Sequence, residues 1–154
     1  MQPPEPAAPG HTPVYEAALR LWSDTLHADA LTLLEAEAGR DPLAAPLHYL
    51  QGLILVDLAR PEEALAAFRR CTCADPAFVA GHLAQAGLFA RAGLQERART
   101  ALRNTVHLVA DRPLGDLVLE REGLTVGDVL DVVGTQRSLI GPRPRPEQRR
   151  AHGA

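Results

Sequence analysis

The chain has 154 residues, of which 46% are hydrophobic and 23% are charged, and its formal net charge is −3 at pH 7. This composition is that of one folded domain, so it excludes disorder of the whole chain. Aromatic residues make up only 4% while Ala and Leu are plentiful, which favours an all-α protein packed through small side chains over a β-sandwich.

The first segment, MQPPEPAAPG, has neither the basic start nor the apolar core of an export signal. We predict that residues 1–11 are disordered or form a linker. The Pro-rich start suits a linker cut from a longer protein, and Met1 suits a free-standing protein equally well. No run reaches the roughly 20 apolar residues of a membrane span, so we predict a cytoplasmic protein without membrane insertion.

A period of 34 residues then organises the chain. Asp41-Pro42 recurs as Asp75-Pro76, and two further sets of positions share the same interval. The residues of the first set have small side chains: Ala30, Ala64 and Ala98. Those of the second set have large side chains: Leu34, Phe68 and Leu102. A small residue lets two helices approach closely, and a large one fills the space one turn later.

This period is that of tetratricopeptide repeats, so residues 12–110 resemble three such units, at 11–44, 45–78 and 79–112. The resemblance implies a short α-solenoid of helix-turn-helix pairs. We predict helices at 12–24 with 27–40, 45–58 with 61–74, and 78–92 with 95–109. Pro61 begins a helix, Gly93 breaks a pair, and Pro76 ends a unit because it disfavours helical geometry in Asp75.

After Arg112-Pro113 the period stops, and residues 111–140 form an irregular connection followed by a seventh helix. Thr125 and Asp128 have the spacing of a helix start, and Val126, Val129, Leu130, Val133 and Ile140 share one face of a helix at 126–140. That face must be buried. We favour a cap on the third repeat over a lid on the concave surface. Residues 141–154 are a Pro/Arg-rich tail that we predict to be disordered.

The segment from His48 to Ala110 also resembles the tetratricopeptide region of some CheR-type chemoreceptor methyltransferases. The similarity lies in His48-Tyr49-Leu50, Gly52-Leu53-Ile54, Asp75-Pro76 with Phe78, His82, and Ala101-Leu102-Arg103-Asn104. In such proteins the repeats are a regulatory appendage and the catalytic domain lies upstream. This chain departs from the pattern: it has no catalytic domain, and Cys71 and Cys73 stand where the family usually has Ala and an aromatic residue.

No motif in the sequence supports catalysis, a cofactor or a metal. The six histidines have no Ser or Cys nucleophile motif beside them, and no Gly-rich phosphate loop occurs. Cys71, Cys73 and His82 lack the ligand number of a structural zinc site, so we predict reduced thiols, with Cys71 packed in the core. His48 and His82 are 34 residues apart, which predicts one interhelical position seen twice.

We therefore predict a protein-interaction module and not an enzyme. Its concave surface should carry an apolar strip formed by Tyr15, Leu19, Trp22, Tyr49, Leu53, Val56 and Leu83. An amphipathic helix suits this strip, and the absence of Lys argues against a clamp for a peptide carboxylate. The alternative is that these side chains form the core between the helices.

The partner implied by the family resemblance is a chemoreceptor or its methyltransferase. The alternatives are a generic scaffold or assembly chaperone, and a fragment of a larger methyltransferase. Removing the basic tail leaves an acidic body, which argues against a nucleic-acid surface.

Overall fold

The computed structural model describes residues 12–120 and 122–143. The disorder predicted for 1–11 and for most of the tail, 144–154, falls outside the described residues. Within them the chain forms α1 (Thr12–Ser23), α2 (His27–Arg40), α3 (Ala45–Asp57), α4 (Pro61–Ala74), α5 (Val79–Arg91), α6 (Gln95–Val109) and α7 (Val126–Ile140). The all-α prediction is confirmed, and no helix boundary differs from the predicted one by more than one residue.

The turn inside each helix pair has the same backbone geometry. Thr25, Ala59 and Gly93 are 34 residues apart, and all three have a positive φ, of 63°, 55° and 75°. Only Gly adopts this left-handed conformation without steric cost. The sequence therefore signals this turn at Gly93 and conceals it at the other two positions.

The turns between pairs also repeat. Oδ1 of Asp41 accepts a hydrogen bond from the backbone N–H of Leu43, and Oδ1 of Asp75 accepts one from Ala77, each at 3.0 Å. His48 and His82 are equivalent as predicted, since Nε2 of each lies 2.8 Å from the carbonyl oxygen of the Pro six residues earlier. Both rings thus hydrogen bond to the turn that precedes their own helix, and the expected contact between helices stays a prediction.

The core follows the predicted spacing. Ala30, Ala64 and Ala98 are fully buried, and Leu34, Phe68 and Leu102 are at most 1% exposed. Close approach is tightest at Gly52 of α3, where a β-carbon would lie only 2.4 Å from the Phe68 ring. Small residues on one helix thus make room for large residues on its partner, which explains the regular packing of α3 on α4.

The stretch predicted as irregular contains a β-hairpin. Strand β1 (Leu117–Leu119) pairs antiparallel with β2 (Leu124–Thr125), and Gly123 takes a φ of 63° in the intervening turn. Directly after β2 a capping box begins α7: the Asp128 N–H donates to Thr125 Oγ1 over 3.2 Å, and the Thr125 N–H donates to Asp128 Oδ2 over 2.9 Å. The Thr125 N–H and the Thr125 hydroxyl, which donates to Asp128 Oδ2 over 2.7 Å, lower the pKa of the Asp128 carboxyl.

Helix α7 packs on α5 and α6. Val126, Val129 and Val133 are buried in the same hydrophobic cluster as Phe89 and Leu102 of the third pair. The helix therefore takes the capping position that we favoured. In the described part of the chain, none of the helices combines the length and apolar character that crossing a bilayer demands.

Candidate functional site

The candidate site is a groove bounded by α3 and α5, the first helices of the second and third pairs. Four residues of the predicted strip line it together: Tyr49, Leu53, Val56 and Leu83. Its volume is about 280 Å³. Phe68, which α4 contributes between them, also lines the groove, and Ala80 and Ala84 on α5 leave the space open because their side chains are small. The surface of the groove is therefore mostly apolar.

The other three residues of the predicted strip do not line this groove. Tyr15 is buried, with 5% of its surface exposed, and its hydroxyl donates to Glu122 Oε1 over 3.0 Å. Trp22 joins α1 to α3, because its Nε1–H donates to Asp57 Oδ2 over 2.7 Å. Leu19 packs against the hydrophobic cluster that includes Leu34, Leu50 and Phe68. The part of the strip on α3 packs against the same cluster, but it also lines the groove, which the part on α1 does not.

An aromatic cluster supports the groove. The ring centroid of Tyr49 lies 5.8 Å from that of Phe68 and 5.3 Å from that of Phe78, with tilted ring planes in both pairs. Such tilted pairs are the favoured arrangement of aromatic rings. Burial, with smaller contributions from Glu122 and Cys71, raises the pKa of Tyr49 to about 12. The phenol is therefore neutral at physiological pH and retains its O–H as a donor.

Sequence reasoning missed the wall that the C-terminal segment adds to the groove. Leu124 of β2 and Gln136 of α7 line it beside the residues of α3 and α5. The hairpin continues towards α1, where Val118, Leu119 and Glu122 border a second depression of about 200 Å³ next to Tyr15. The only local signal for a hairpin is the Gly123 turn between two short apolar runs, and nothing in the sequence indicates where the hairpin packs.

The groove also contains two polar residues that the sequence analysis did not predict, Arg91 and Gln136. Arg91, at the end of α5, is the only charged residue among the groove's described lining. The Oε1 atom of Gln136 is shielded from solvent and has no hydrogen-bond partner in the described part of the chain. Both positions lie outside the residues that the 34-residue period makes conspicuous.

The cysteines and histidines do not gather into a metal-binding group within the described residues. Cys71 is fully buried on α4 and Cys73 is exposed, and both are free thiols. Burial, with a smaller contribution from Asp75, raises the pKa of Cys71 to about 12. A thiol in that environment stays protonated at neutral pH and behaves as a small apolar side chain.

The helix pairs, their repeated turns and their packing on neighbours in the chain define a class of fold: a helical-repeat solenoid of the tetratricopeptide type. Comparison of sequences adds nothing to this assignment, since no protein-family model and no curated protein sequence matches the chain. Comparison with solved structures supports it, because the matching chains are helical-repeat proteins of the same type.

Three of these structures illustrate the similarity. The type III secretion chaperone SycD of Yersinia enterocolitica, in complex with a peptide of the translocator YopD, has a TM-score of 0.67 and 13% identity, covering 84% of this chain and 94% of that one. A chain of the CopN-Scc3 complex has a TM-score of 0.63 and 17% identity, covering 77% of this chain and 66% of that one. The TPR2B domain of yeast Sti1, in a complex with pHsp70, has a TM-score of 0.62 and 18% identity, covering 82% of this chain and 100% of that one. At such identities the likeness establishes the fold alone.

Proposed function

We propose that the protein is a non-catalytic interaction module whose groove holds an apolar segment of another polypeptide. The observation that supports this most directly is the meeting of Tyr49, Leu53, Val56 and Leu83 around one concavity. Apolar concavities with a few polar groups are the usual form of binding sites. Tyr at such a site contributes a large contact area at a low cost in conformational entropy.

The lining of the groove favours a peptide side chain. The groove has a volume of about 280 Å³, and Arg91 is the one charged residue among the described residues that line it. It suits one or two side chains of a segment whose remainder lies along the surface. The structures of similar fold agree with this proposal, since one was solved with a translocator peptide and another in a complex with pHsp70.

A matched pair of variants tests the groove. A peptide selected from a random library against the full chain is labelled, and its affinity is measured by fluorescence anisotropy. Leu83→Glu places a charge in the groove and should weaken binding at least tenfold, whereas Leu139→Glu, at a position that is 81% exposed on α7, should not. Equal affinities of Leu83→Glu and the unmodified protein would show that the peptide binds elsewhere.

The identity of the partner is a finer proposal. The residues that carry the resemblance to CheR-associated repeats include Tyr49 and Leu53, which line the groove. A chemoreceptor or its methyltransferase is therefore one partner to test, by calorimetric titration of the purified proteins. The similar structures that are chaperones favour the alternative, an assembly chaperone that protects an apolar segment of its client.

The proposal that the chain is not an enzyme has its own test. The groove contains no phosphate-binding loop, and its lining has one cationic side chain in the described residues. We expect no binding of S-adenosylmethionine in a calorimetric titration up to millimolar concentration. Micromolar affinity for this methyl donor would contradict the non-catalytic proposal and favour a fragment of a methyltransferase.

A further inference from the structure

Four arginines line another concavity, which lies between α6 and the C-terminal end of α7 and which we call the arginine pocket. Its volume is about 340 Å³, and Ile140 and Gly141 complete its lining. The four arginines are Arg99 and Arg103 of α6, Arg137 of α7, and Arg143, which follows α7. No acidic residue is among the described residues that line the pocket, and the pocket shares no lining residue with the groove between α3 and α5.

The arginine pocket is strongly positive in a chain whose formal net charge is −3. In the described part of the chain, one carboxylate pairs with its arginines. Glu96 Oε1 lies 2.8 Å from Nη1 of Arg99, and Glu96 Oε2 lies 3.6 Å from Nη2 of Arg143. Four positive charges and one negative charge leave a net charge of +3 at the pocket. An anion that enters is therefore attracted by several guanidinium groups at once.

Arg99 is held in place by the backbone that follows α7. Its Nη2 donates to the carbonyl oxygen of Gly141 over 3.0 Å, and only 14% of its side chain is exposed. One wall of the pocket is thus ordered before any ligand binds, which lowers the entropy cost of binding. Glu96 also shows that an anion can bridge two of the arginines, since each of its oxygens faces a different guanidinium group.

Arg103 and Arg137 are the two members whose charge no carboxylate of the described residues neutralises. Both are exposed. Nη2 of Arg103 donates to Thr100 Oγ1 over 3.1 Å, and within the described chain the Arg137 side chain makes no hydrogen bond or ion pair. A guanidinium group offers two parallel N–H donors that match two oxygens of a carboxylate or a phosphate. These two arginines are therefore available to a ligand.

The charge of the pocket favours a phosphate group over a single carboxylate. A carboxylate offsets one positive charge, whereas a phosphorylated side chain carries about −1.5 to −2 at pH 7 and has three acceptor oxygens. The described lining contains no aromatic ring on which a nucleobase could stack. Ile140 instead adds an apolar contact beside the arginines, which suits the side chain that bears the phosphate.

We propose that the arginine pocket binds a phosphorylated serine or threonine of a partner polypeptide, with Arg103 and Arg137 contacting the phosphate oxygens and Arg99 ordering the wall behind them. This site is separate from the groove, so it can be tested independently of the proposed function.

Three peptides and one inorganic anion test the proposal in NMR titrations of the full chain. The peptides are acetyl-Gly-Ala-Ser-Leu-Gly-amide phosphorylated on Ser, the same peptide without the phosphate, and the peptide with Glu in place of Ser. At low salt the phosphopeptide should bind about tenfold or more tightly than the unphosphorylated peptide, with the Glu peptide between them. Inorganic phosphate should shift the same resonances, those of residues 137–143, and bind about threefold or more weakly than the phosphopeptide.

A matched pair of double variants assigns the preference to the pocket. Arg103→Gln with Arg137→Gln removes two exposed guanidinium groups and leaves the bonds of Arg99 intact, so the protein should stay folded. It should reduce the preference for phosphoserine to about twofold or less. Arg20→Gln with Arg70→Gln removes the same charge at exposed positions of α1 and α4 and should retain the preference.

Two further double variants separate specific recognition from general attraction. Arg103→Lys with Arg137→Lys keeps the charge and loses the planar pair of donors, so it should weaken binding of the phosphopeptide about threefold or more. Arg149→Gln with Arg150→Gln lowers the charge of the C-terminal tail and should leave this binding unchanged.

Several results would overturn the proposal. Equal affinities for the phosphorylated and unphosphorylated peptides, or a preference that survives Arg103→Gln with Arg137→Gln, would show that the pocket does not recognise phosphate. Full affinity of the Lys variant, or loss of affinity in the tail variant, would reduce the effect to general attraction. Inorganic phosphate that binds as tightly as the phosphopeptide would mean that no polypeptide supplies the phosphate.

A membrane surface and the groove have their own controls. We expect no cosedimentation with vesicles of phosphatidylcholine and phosphatidylserine. Cosedimentation that Arg103→Gln with Arg137→Gln abolishes would assign the pocket to anionic lipid and contradict the proposal. Leu83→Glu, which changes the groove, should leave binding of the phosphopeptide unchanged. Failure at the arginine pocket would therefore not affect the function proposed for the groove.

Discussion

The three helix pairs and the C-terminal segment that follows them are stabilised in different ways. Within the pairs, several sets of residues 34 positions apart share their burial or their turn geometry, as Ala30, Ala64 and Ala98 do in the core. The hairpin and α7 have no equivalent elsewhere in the described chain. Their conformation depends on contacts with α5 and α6 and on the hydrogen bond between Glu122 and Tyr15 of α1. The helix pairs are predictable from the sequence because they repeat. The C-terminal segment has no repeat, and its conformation is determined by its tertiary contacts.

The helix pairs and the C-terminal segment also differ in how far apart along the chain their contacting residues lie. Each helix of the pairs packs chiefly on its neighbours in the chain, as expected for a solenoid. The hairpin instead reaches Tyr15, 107 residues before Glu122. The C-terminal segment therefore connects the last helix pair to the first, and variants in each region should reveal whether that connection matters.

The largest effect is expected from deleting residues 111–154. The deletion uncovers Phe89, Leu102 and Val109, which α7 buries with its own valines. At roughly 1.5–3 kcal/mol for each large apolar side chain, the loss should exceed about 5 kcal/mol and unfold or aggregate the third pair. Circular dichroism and size-exclusion chromatography measure this. A monomer with an unchanged melting temperature would mean that the pairs are stable without the cap.

A smaller effect is expected from Ala64→Leu within the pairs. Ala64 is fully buried, so a larger side chain should overpack the core at a cost of about 1–3 kcal/mol. Ala66→Leu on the same helix is the control, because Ala66 is exposed and Leu is a good helix former. Chemical denaturation compares the two. Equal stability of both variants would show that the 34-residue register does not describe the packing.

Tyr15→Phe tests the connection between the regions. The variant removes the hydroxyl that donates to Glu122 and keeps the buried ring, so we expect a loss of about 0.5–1.5 kcal/mol. Hydrogen exchange of the backbone amides at 117–125 should become faster, while exchange in α3 and α4 should not change. Unchanged exchange in the hairpin would mean that this hydrogen bond does not hold it in place.

The smallest effect, and the only stabilising one, is expected at a turn. Ala59 has a φ of 55°, a conformation that costs an L-residue about 1–2 kcal/mol, partly offset by the greater chain entropy of Gly when unfolded. Ala59→Gly should therefore raise stability by roughly 0.5–1 kcal/mol. Ala66→Gly, in the middle of a helix, should lower it by about 1 kcal/mol. Thermal melts of both variants check the sign as well as the size.

The sequence predicts the helix pairs well because their causes are local or periodic. Pro61, Gly93 and the capping pair Thr125 and Asp128 mark helix ends, and the 34-residue interval aligns the buried positions. The groove is predicted only in part. Tyr15 and Trp22 share the apolar character of Tyr49, and no local pattern reveals that Glu122 and Asp57 hold them by hydrogen bonds. Arg91 and Gln136 were missed because isolated polar residues have no periodicity.

The hydrogen bond between Tyr15 and Glu122 also bears on how the chain is made. A ribosome adds about 5–20 residues each second, so the 107 residues between these partners take about 5 to 20 s to appear. The nearest-neighbour contacts of the first two pairs can form during that time, because the residues that make them emerge early. The contact with the hairpin can form only once synthesis is nearly complete. Helix α1 is therefore synthesised long before the hairpin that completes its contacts. In a nascent chain stalled before residue 120, the hairpin would not yet cover Tyr15.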